Sequence, residues 1–123
     1  MKLLQACLKQ AREKKHPGQN WEKRHFSFVI QDGDIITMGM NRVGTPIPGF
    51  GYGAAYPQNI HAEPDAFRRA RSMLDLSAHW EIFNVRLNKR DEIRMSAPCG
   101  CCTSFLITMG CKRAHFTTAV GFA

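Results

Sequence analysis

One α/β domain, a mixed sheet with helices packed on it, is the fold class the sequence predicts, and three observations predict it. A length of 123 residues suits one domain, residues 1–123, and is too short for two. The hydrophobic repeat switches between helical and strand periods in the order helix, hairpin, long loop, helix, strand, helix, strand. Composition is that of an ordinary globular chain, 44% hydrophobic and 22% charged, which argues against disorder.

Leu3, Leu4, Cys7, Leu8 and Ala11 recur at helical spacing, so residues 2 to about 15 form an amphipathic helix that His16-Pro17-Gly18 stops. Gln19 to Arg24 is a polar connection apart from Trp21. His25–Ile30 and Ile35–Met40 flank the turn residues Gln31-Asp32-Gly33-Asp34, which is the pattern of a β-hairpin. Residues 43–60 carry four glycines and three prolines and form a long loop with Phe50, Tyr52 and Tyr56 on it. From His61 to about Leu74 the apolar set Ala62, Ala66, Phe67, Ala70, Met73 and Leu74 makes a helical stripe. Pro64 fits only in its first turn, where a missing N–H costs nothing. Trp80–Leu87 reads as a strand, Asn88–Glu92 as a turn and Ile93-Arg94-Met95 as a short return. Cys102, Phe105, Leu106 and Met109 mark a third helix that opens at Pro98-Cys99 and closes at Gly110. Ala114–Val120 is the last strand.

Seventeen Lys and Arg against ten acidic residues give a formal charge of +7, which attracts phosphate-bearing partners, free nucleotides or a polynucleotide backbone alike. Five cysteines is an odd number, and Cys-x-x-Cys beside His-x-Glu favours a metal site in a reducing compartment over a disulfide framework. Cys7 reads as a helix-face hydrophobe and Cys111 as a residue entering a strand. His16, His25 and His79 read as surface or turn histidines. Lys9 interrupts the first apolar stretch, so no signal peptide is expected, and no apolar run approaches the roughly 20 residues of a membrane span. A cytoplasmic protein with no membrane partner is the expectation.

Two stretches carry chemistry: His61-Ala62-Glu63 and Pro98-Cys99-Gly100-Cys101-Cys102. Both open helices, whose positive dipole ends favour thiolate over thiol. Zinc takes nitrogen and sulfur ligands in a tetrahedron, and a catalytic zinc keeps three protein ligands and one open position. His61, Cys99 and Cys102 supply that count, the two cysteines one helical step apart. Glu63 lies close enough to exchange a proton at the fourth position without being a ligand. A structural zinc would need a fourth protein ligand, for which His115 and Cys101 are the candidates, although Cys101 lies between the two ligands and points elsewhere.

His-x-Glu followed by Pro-Cys-x-x-Cys is the signature of zinc nucleobase deaminases, and over most of residues 25–120 the chain resembles the cytidine deaminase superfamily. The 34 residues between Glu63 and Pro98 make a long but compatible gap. Asn84-Val85-Arg86-Leu87, Met95-Ser96-Ala97-Pro98-Cys99 and His115-Phe116-Thr117-Thr118 resemble small deaminase-like proteins of phages and large DNA viruses. The resemblance implies a three-layer α/β/α fold with a central mixed sheet of four to five strands, shortened at the C-terminus. It implies a Zn2+ cofactor held by His61, Cys99 and Cys102, with Glu63 as the catalytic proton carrier. It also implies that Asn41 bonds the sugar or base, that the Ala62 N–H meets a base carbonyl, and that the main chain of Ser96 and Ala97 holds the departing amine. Phe26 or an aromatic of the 50–56 loop would stack on the base, with plain core packing as the alternative for Phe26. An exposed last strand would invite a homo-oligomer.

The expected activity is hydrolytic deamination of a cytosine nucleoside or nucleotide to the uracil form, a small-molecule substrate. Two alternatives stand beside it: the same chemistry on cytosine or adenine in single-stranded DNA or RNA, and a non-catalytic zinc module that binds nucleic acid. Glu63 argues against the last, because a structural zinc has no use for a proton carrier at that spacing.

Overall fold

The computed structural model describes residues 2–14, 24–43 and 59–123. The expected helix stop at 16–18 and most of the expected 43–60 loop, with its three aromatic residues, lie outside the described residues. Helix α1 (Lys2–Glu13) buries Leu4, Cys7 and Ala11, one stripe at helical spacing. Strands β1 (Arg24–Gln31) and β2 (Asp34–Met40) form the expected hairpin. Its two-residue turn places Asp32 at φ 54° and Gly33 at φ 77°, a pair of left-handed positions that this Asp-Gly step accommodates. Where residues 43–60 were expected to be loop throughout, both ends pair: β3 (Arg42–Val43) and β4 (Asn59–Ile60) make a two-stranded antiparallel ladder.

Helix α2 (Ala62–Ala70) ends four residues before the expected limit at Leu74. The amides of Met73 and Leu74 both donate to the Ala70 carbonyl, at 2.8 and 2.9 Å, and this tight turn returns Leu74 to the core. Met73, expected on the buried stripe, is 59% exposed as a result. Then come β5 (Glu81–Leu87), β6 (Ile93–Arg94), α3 (Gly100–Thr108) and β7 (Arg113–Thr118). The last expected strand breaks at Thr118. Gly121, at φ 153°, lets the chain fold back so that β8 (Gly121–Phe122) pairs antiparallel with β7, leaving Val120 on the solvent-exposed turn.

The main sheet has six strands, ordered β2-β1-β5-β7-β8 with β6 also paired to β5, rather than the four to five expected. The β5–β7 pair is parallel, joined through α3, and the other pairs are antiparallel, so the sheet is mixed. Alternation along β1 and β5 sends successive side chains to opposite faces. Phe26, Phe28, Ile30, Val85 and Leu87 pack beneath α1 with Leu4 and Cys7. Val29 and Ile82 pack on the other face with Ala66, Phe67, Trp80, Phe105 and Leu106 of the α2–α3 side. Three layers result, with the sheet in the middle, as expected. Among the described residues no helix is long and apolar enough to cross a membrane.

Candidate active site

Both motif stretches lie at helix starts on the α2–α3 face. His61 is the residue before α2, at φ −78° and ψ 155°, and Cys99 is the residue before α3, at φ −68° and ψ 170°. These extended positions are where a chain enters a helix with unbonded N–H groups, and the Cys102 amide donates to Cys99 Sγ at 3.5 Å. Glu63 and Asp65 occupy the first turn of α2, where a carboxylate complements the dipole.

The two helix starts bring together three side chains distant in sequence. His61 Nδ1 lies 3.2 Å from Cys102 Sγ and 3.8 Å from Cys99 Sγ, and all three donor atoms fall within 4.8 Å of one another. A tetrahedral ion with bonds of about 2.0–2.3 Å sets its ligands about 3.3–3.8 Å apart, so the spacing fits one zinc. Burial lowers the His61 pKa, with Glu63 opposing and His25 adding to the fall, which keeps the imidazole in the neutral form that ligates metals. Burial first, then the charges of Glu63 and Cys99, push the Cys102 thiol up, against the lowering expected from a helix start, so ligation at Cys102 has to release that proton. His61, Cys99 and Cys102 therefore suit zinc in number, chemistry and spacing. Neither candidate for a fourth ligand joins them among the described residues. His115 Nε2 sits 2.6 Å from Glu81 Oε1, and Cys101 packs against the α2–α3 core.

Glu63 is buried, 2% exposed, and its carboxylate is aimed by one strand residue. Asn84 Nδ2, from the middle of β5, donates to Glu63 Oε2 at 3.0 Å and to the Ser96 carbonyl at 3.1 Å, while Asn84 Oδ1 accepts from Ser27 Oγ at 2.7 Å. Ser96 Oγ donates to the Asn84 carbonyl at 2.9 Å and accepts from the Thr117 amide at 2.8 Å. Sequence reasoning missed Asn84 as a site residue. Its signal was a lone amide in the apolar run Ile82 to Leu87, and an amide buried in a central strand must find partners or cost about 1–3 kcal/mol. Asn84→Ala is expected to lower stability by about that amount by stranding Ser27 Oγ and the Glu63 carboxylate, measured by urea unfolding.

The other expected site residues divide. Asn41, at the end of β2, lies half-buried beside β1: its Oδ1 accepts from the His25 amide at 2.9 Å and its amide donates to the His25 carbonyl at 3.1 Å. Ala62 is buried in the first turn of α2, Ser96 is buried beside Asn84, and Ala97 is exposed between Ser96 and the Pro98-Cys99 step. Phe26 is a correction. It is fully buried under α1, on the face opposite His61, so it packs in the core and offers no ring to a base.

His25 is a second correction: it is no surface histidine. Alternation places it on the same face as Ser27, and its Nε2 is buried with no hydrogen-bond partner. Burial lowers its pKa and Arg86 adds to this, while Glu63 and the Ser96 main chain oppose it.

No family model and no curated protein matches the chain. Solved structures do. Apo dCMP deaminase from the cyanophage S-TIM5 superposes with a TM-score of 0.60 at 20% identity, covering 95% of this chain and 83% of that one. The same phage enzyme in complex with dCMP and dUMP gives 0.58 at 19% identity, over 95% and 82% of the two chains. Cytidine deaminase from Mycobacterium leprae gives 0.58 at 17% identity, over 99% and 89%. With three layers, a mixed sheet and two helix starts that meet at a His/Cys/Cys cluster, the chain has the cytidine deaminase fold.

Proposed function

We propose that the protein is a zinc-dependent hydrolytic deaminase that converts a cytosine nucleoside or nucleotide to its uracil form with release of ammonia. The observation that carries this reading is the convergence of His61, Cys99 and Cys102 beside a buried carboxylate that is not part of the ligand set. Zinc held by those three side chains would supply Lewis acidity, which lowers the pKa of water to about 7. Glu63 carries one proton of the water to the ring nitrogen, where it stays, and then carries the second, from the hydroxyl of the adduct, to the departing amine. Asn84 holds Oε2 in place. Water adds to the amine-bearing carbon, the C–N bond breaks, and the amine leaves as ammonia, so atoms balance. Asn41, the Ala62 amide and the main chain of Ser96 and Ala97 supply the substrate contacts in this reading.

The test is incubation of the zinc-loaded protein with cytidine, deoxycytidine, dCMP, adenosine and a single-stranded oligonucleotide, followed by mass spectrometry for the gain of about 1 Da that amine-to-carbonyl exchange produces. A gain on a cytosine monomer, lost after chelation and restored by zinc, is expected. No product from any substrate would overturn the reading, and product from the oligonucleotide alone would replace it with nucleic-acid editing.

A further inference from the structure

A row of cationic and proton-donating side chains crosses the sheet next to this site, and the proposed reaction does not use it. In the antiparallel β1–β5 pair, Ser27 faces Asn84 and His25 faces Arg86. Directly opposed residues share a face, and residues two apart on one strand share it too. Val29 and Ile82 lie in the α2–α3 core, Ser27 and Asn84 lie beneath Glu63, and His25 and Arg86 are the next step outward along the same face. On the other side of β5, Arg86 is paired with Arg94 of β6. His25, Arg86 and Arg94 therefore stand side by side across three strands.

Directly opposed like charges destabilise a sheet, so such a row needs a reason. Two neighbouring arginines have carboxylate partners: Arg24 pairs with Asp91 and Arg94 reaches Glu92 at 3.3 Å. Arg86 has none among the described residues. Its Nη1 makes only a long contact to the Met95 carbonyl, 3.4 Å, at the exposed end, and its Nε is buried with no acceptor. His25 Nε2 is buried in the same condition. Two opposed side chains thus hold unused nitrogens, and among the described residues no carboxylate pairs with the one permanent charge between them. A guanidinium in that state suits a tetrahedral or planar oxyanion, which it meets with two parallel hydrogen bonds.

We infer that the His25–Arg86–Arg94 row binds the phosphate of a free cytosine nucleotide, so that these residues select a nucleoside monophosphate over the nucleoside. The inference rests on the deaminase reading for the identity of the base. The row leads outward along the sheet from Ser27 and Asn84 beneath Glu63, the direction this inference assigns to the sugar and phosphate of a base seated over Glu63.

Calorimetric titration of the zinc-loaded protein with dCMP, deoxycytidine and an oligo-dC strand tests the row without requiring turnover, and a parallel turnover assay tests the reaction. Charge-assisted bonds to one arginine predict that dCMP binds about 10- to 100-fold tighter than deoxycytidine. Arg86→Gln should remove about tenfold or more of that preference, and Arg86→Lys, which keeps the charge but not the fork, should retain part of it. Lys112→Gln, which changes net charge equally at an exposed position outside the row, should leave the preference intact. Equal binding of dCMP and deoxycytidine by the parent would overturn the inference. So would a preference that Arg86→Gln does not change, or oligo-dC binding more tightly than dCMP. Turnover without phosphate preference removes the row and keeps the deaminase. Arg86-dependent dCMP binding without turnover removes the deaminase and keeps the row.

Discussion

Glu63→Gln is expected to lower kcat for cytosine deamination by about 100- to 10,000-fold, the range that a positioned general acid–base contributes. The substitution is close to isosteric. A glutamine oxygen still accepts from Asn84 Nδ2, and His61, Cys99 and Cys102 are untouched, so fold and zinc content should be those of the parent. What disappears is the capacity to take up and release a proton at a buried position. Activity read by loss of cytosine absorbance, with metal stoichiometry measured on the same sample, separates the two roles. A variant that retains one zinc per chain and has lost turnover fits a proton carrier. Parental turnover would mean that Glu63 only fills space.

Gly39→Ala is the second large effect, and it operates through packing. A Cβ on Gly39 would overlap the Ala66 amide nitrogen and stand 2.6 Å from the Ala62 carbonyl and 2.7 Å from the Ala66 Cα. All three are backbone atoms of α2, so no rotamer change relieves the contact. The same contact zone is fixed by Thr37 Oγ1 donating to the Ala66 carbonyl at 2.8 Å and the Met40 amide donating to Asp65 Oδ2 at 3.1 Å. To admit one methyl group, β2 and α2 must separate and lose these bonds. Overpacking costs about 1–3 kcal/mol and occasionally more, and backbone against backbone belongs at the top of that range or beyond it. For a chain of this size that corresponds to a fall in Tm on the order of 10 °C by calorimetry. Because His61 and Glu63 ride on the start of α2, activity should fall along with stability. A parental Tm would show that β2 and α2 are less closely joined than these distances state.

The meeting of His61, Cys99 and Cys102 was legible in the sequence because it depends on local rules. A proline in a first turn and a Cys-x-x-Cys step each mark a helix start, and the ligands follow from donor chemistry. The layers were legible because periodicity reports which face is buried. Strand partners and faces are non-local, and that is where reading failed. Phe26 and His25 are adjacent, and only the pairing of β1 with β5 decides which of them faces the site and which the α1 core. Asn84 lies inside the expected Trp80–Leu87 strand, and only the fold surrounds it with Ser27, Glu63 and Ser96. Met73 continued a helical stripe on paper, but two amides sharing the Ala70 carbonyl ended the helix first. The parallel β5–β7 pair, with α3 as its crossover, leaves no local trace beyond the order of the elements.

Asn84, the residue that holds Glu63, stands in the strand to which β1, β6 and β7 all bond. Amides in such a strand come free only when the sheet as a whole opens, whereas helix ends and turns fray at far smaller cost. Glu63, although it rides on a helix start as His61 and Cys99 do, is thus also tied to the least yielding part of the molecule. Fraying at the start of α2 is opposed at Glu63 by the bond to Asn84, so the placement of this carboxylate depends on the sheet as well as on its own helix.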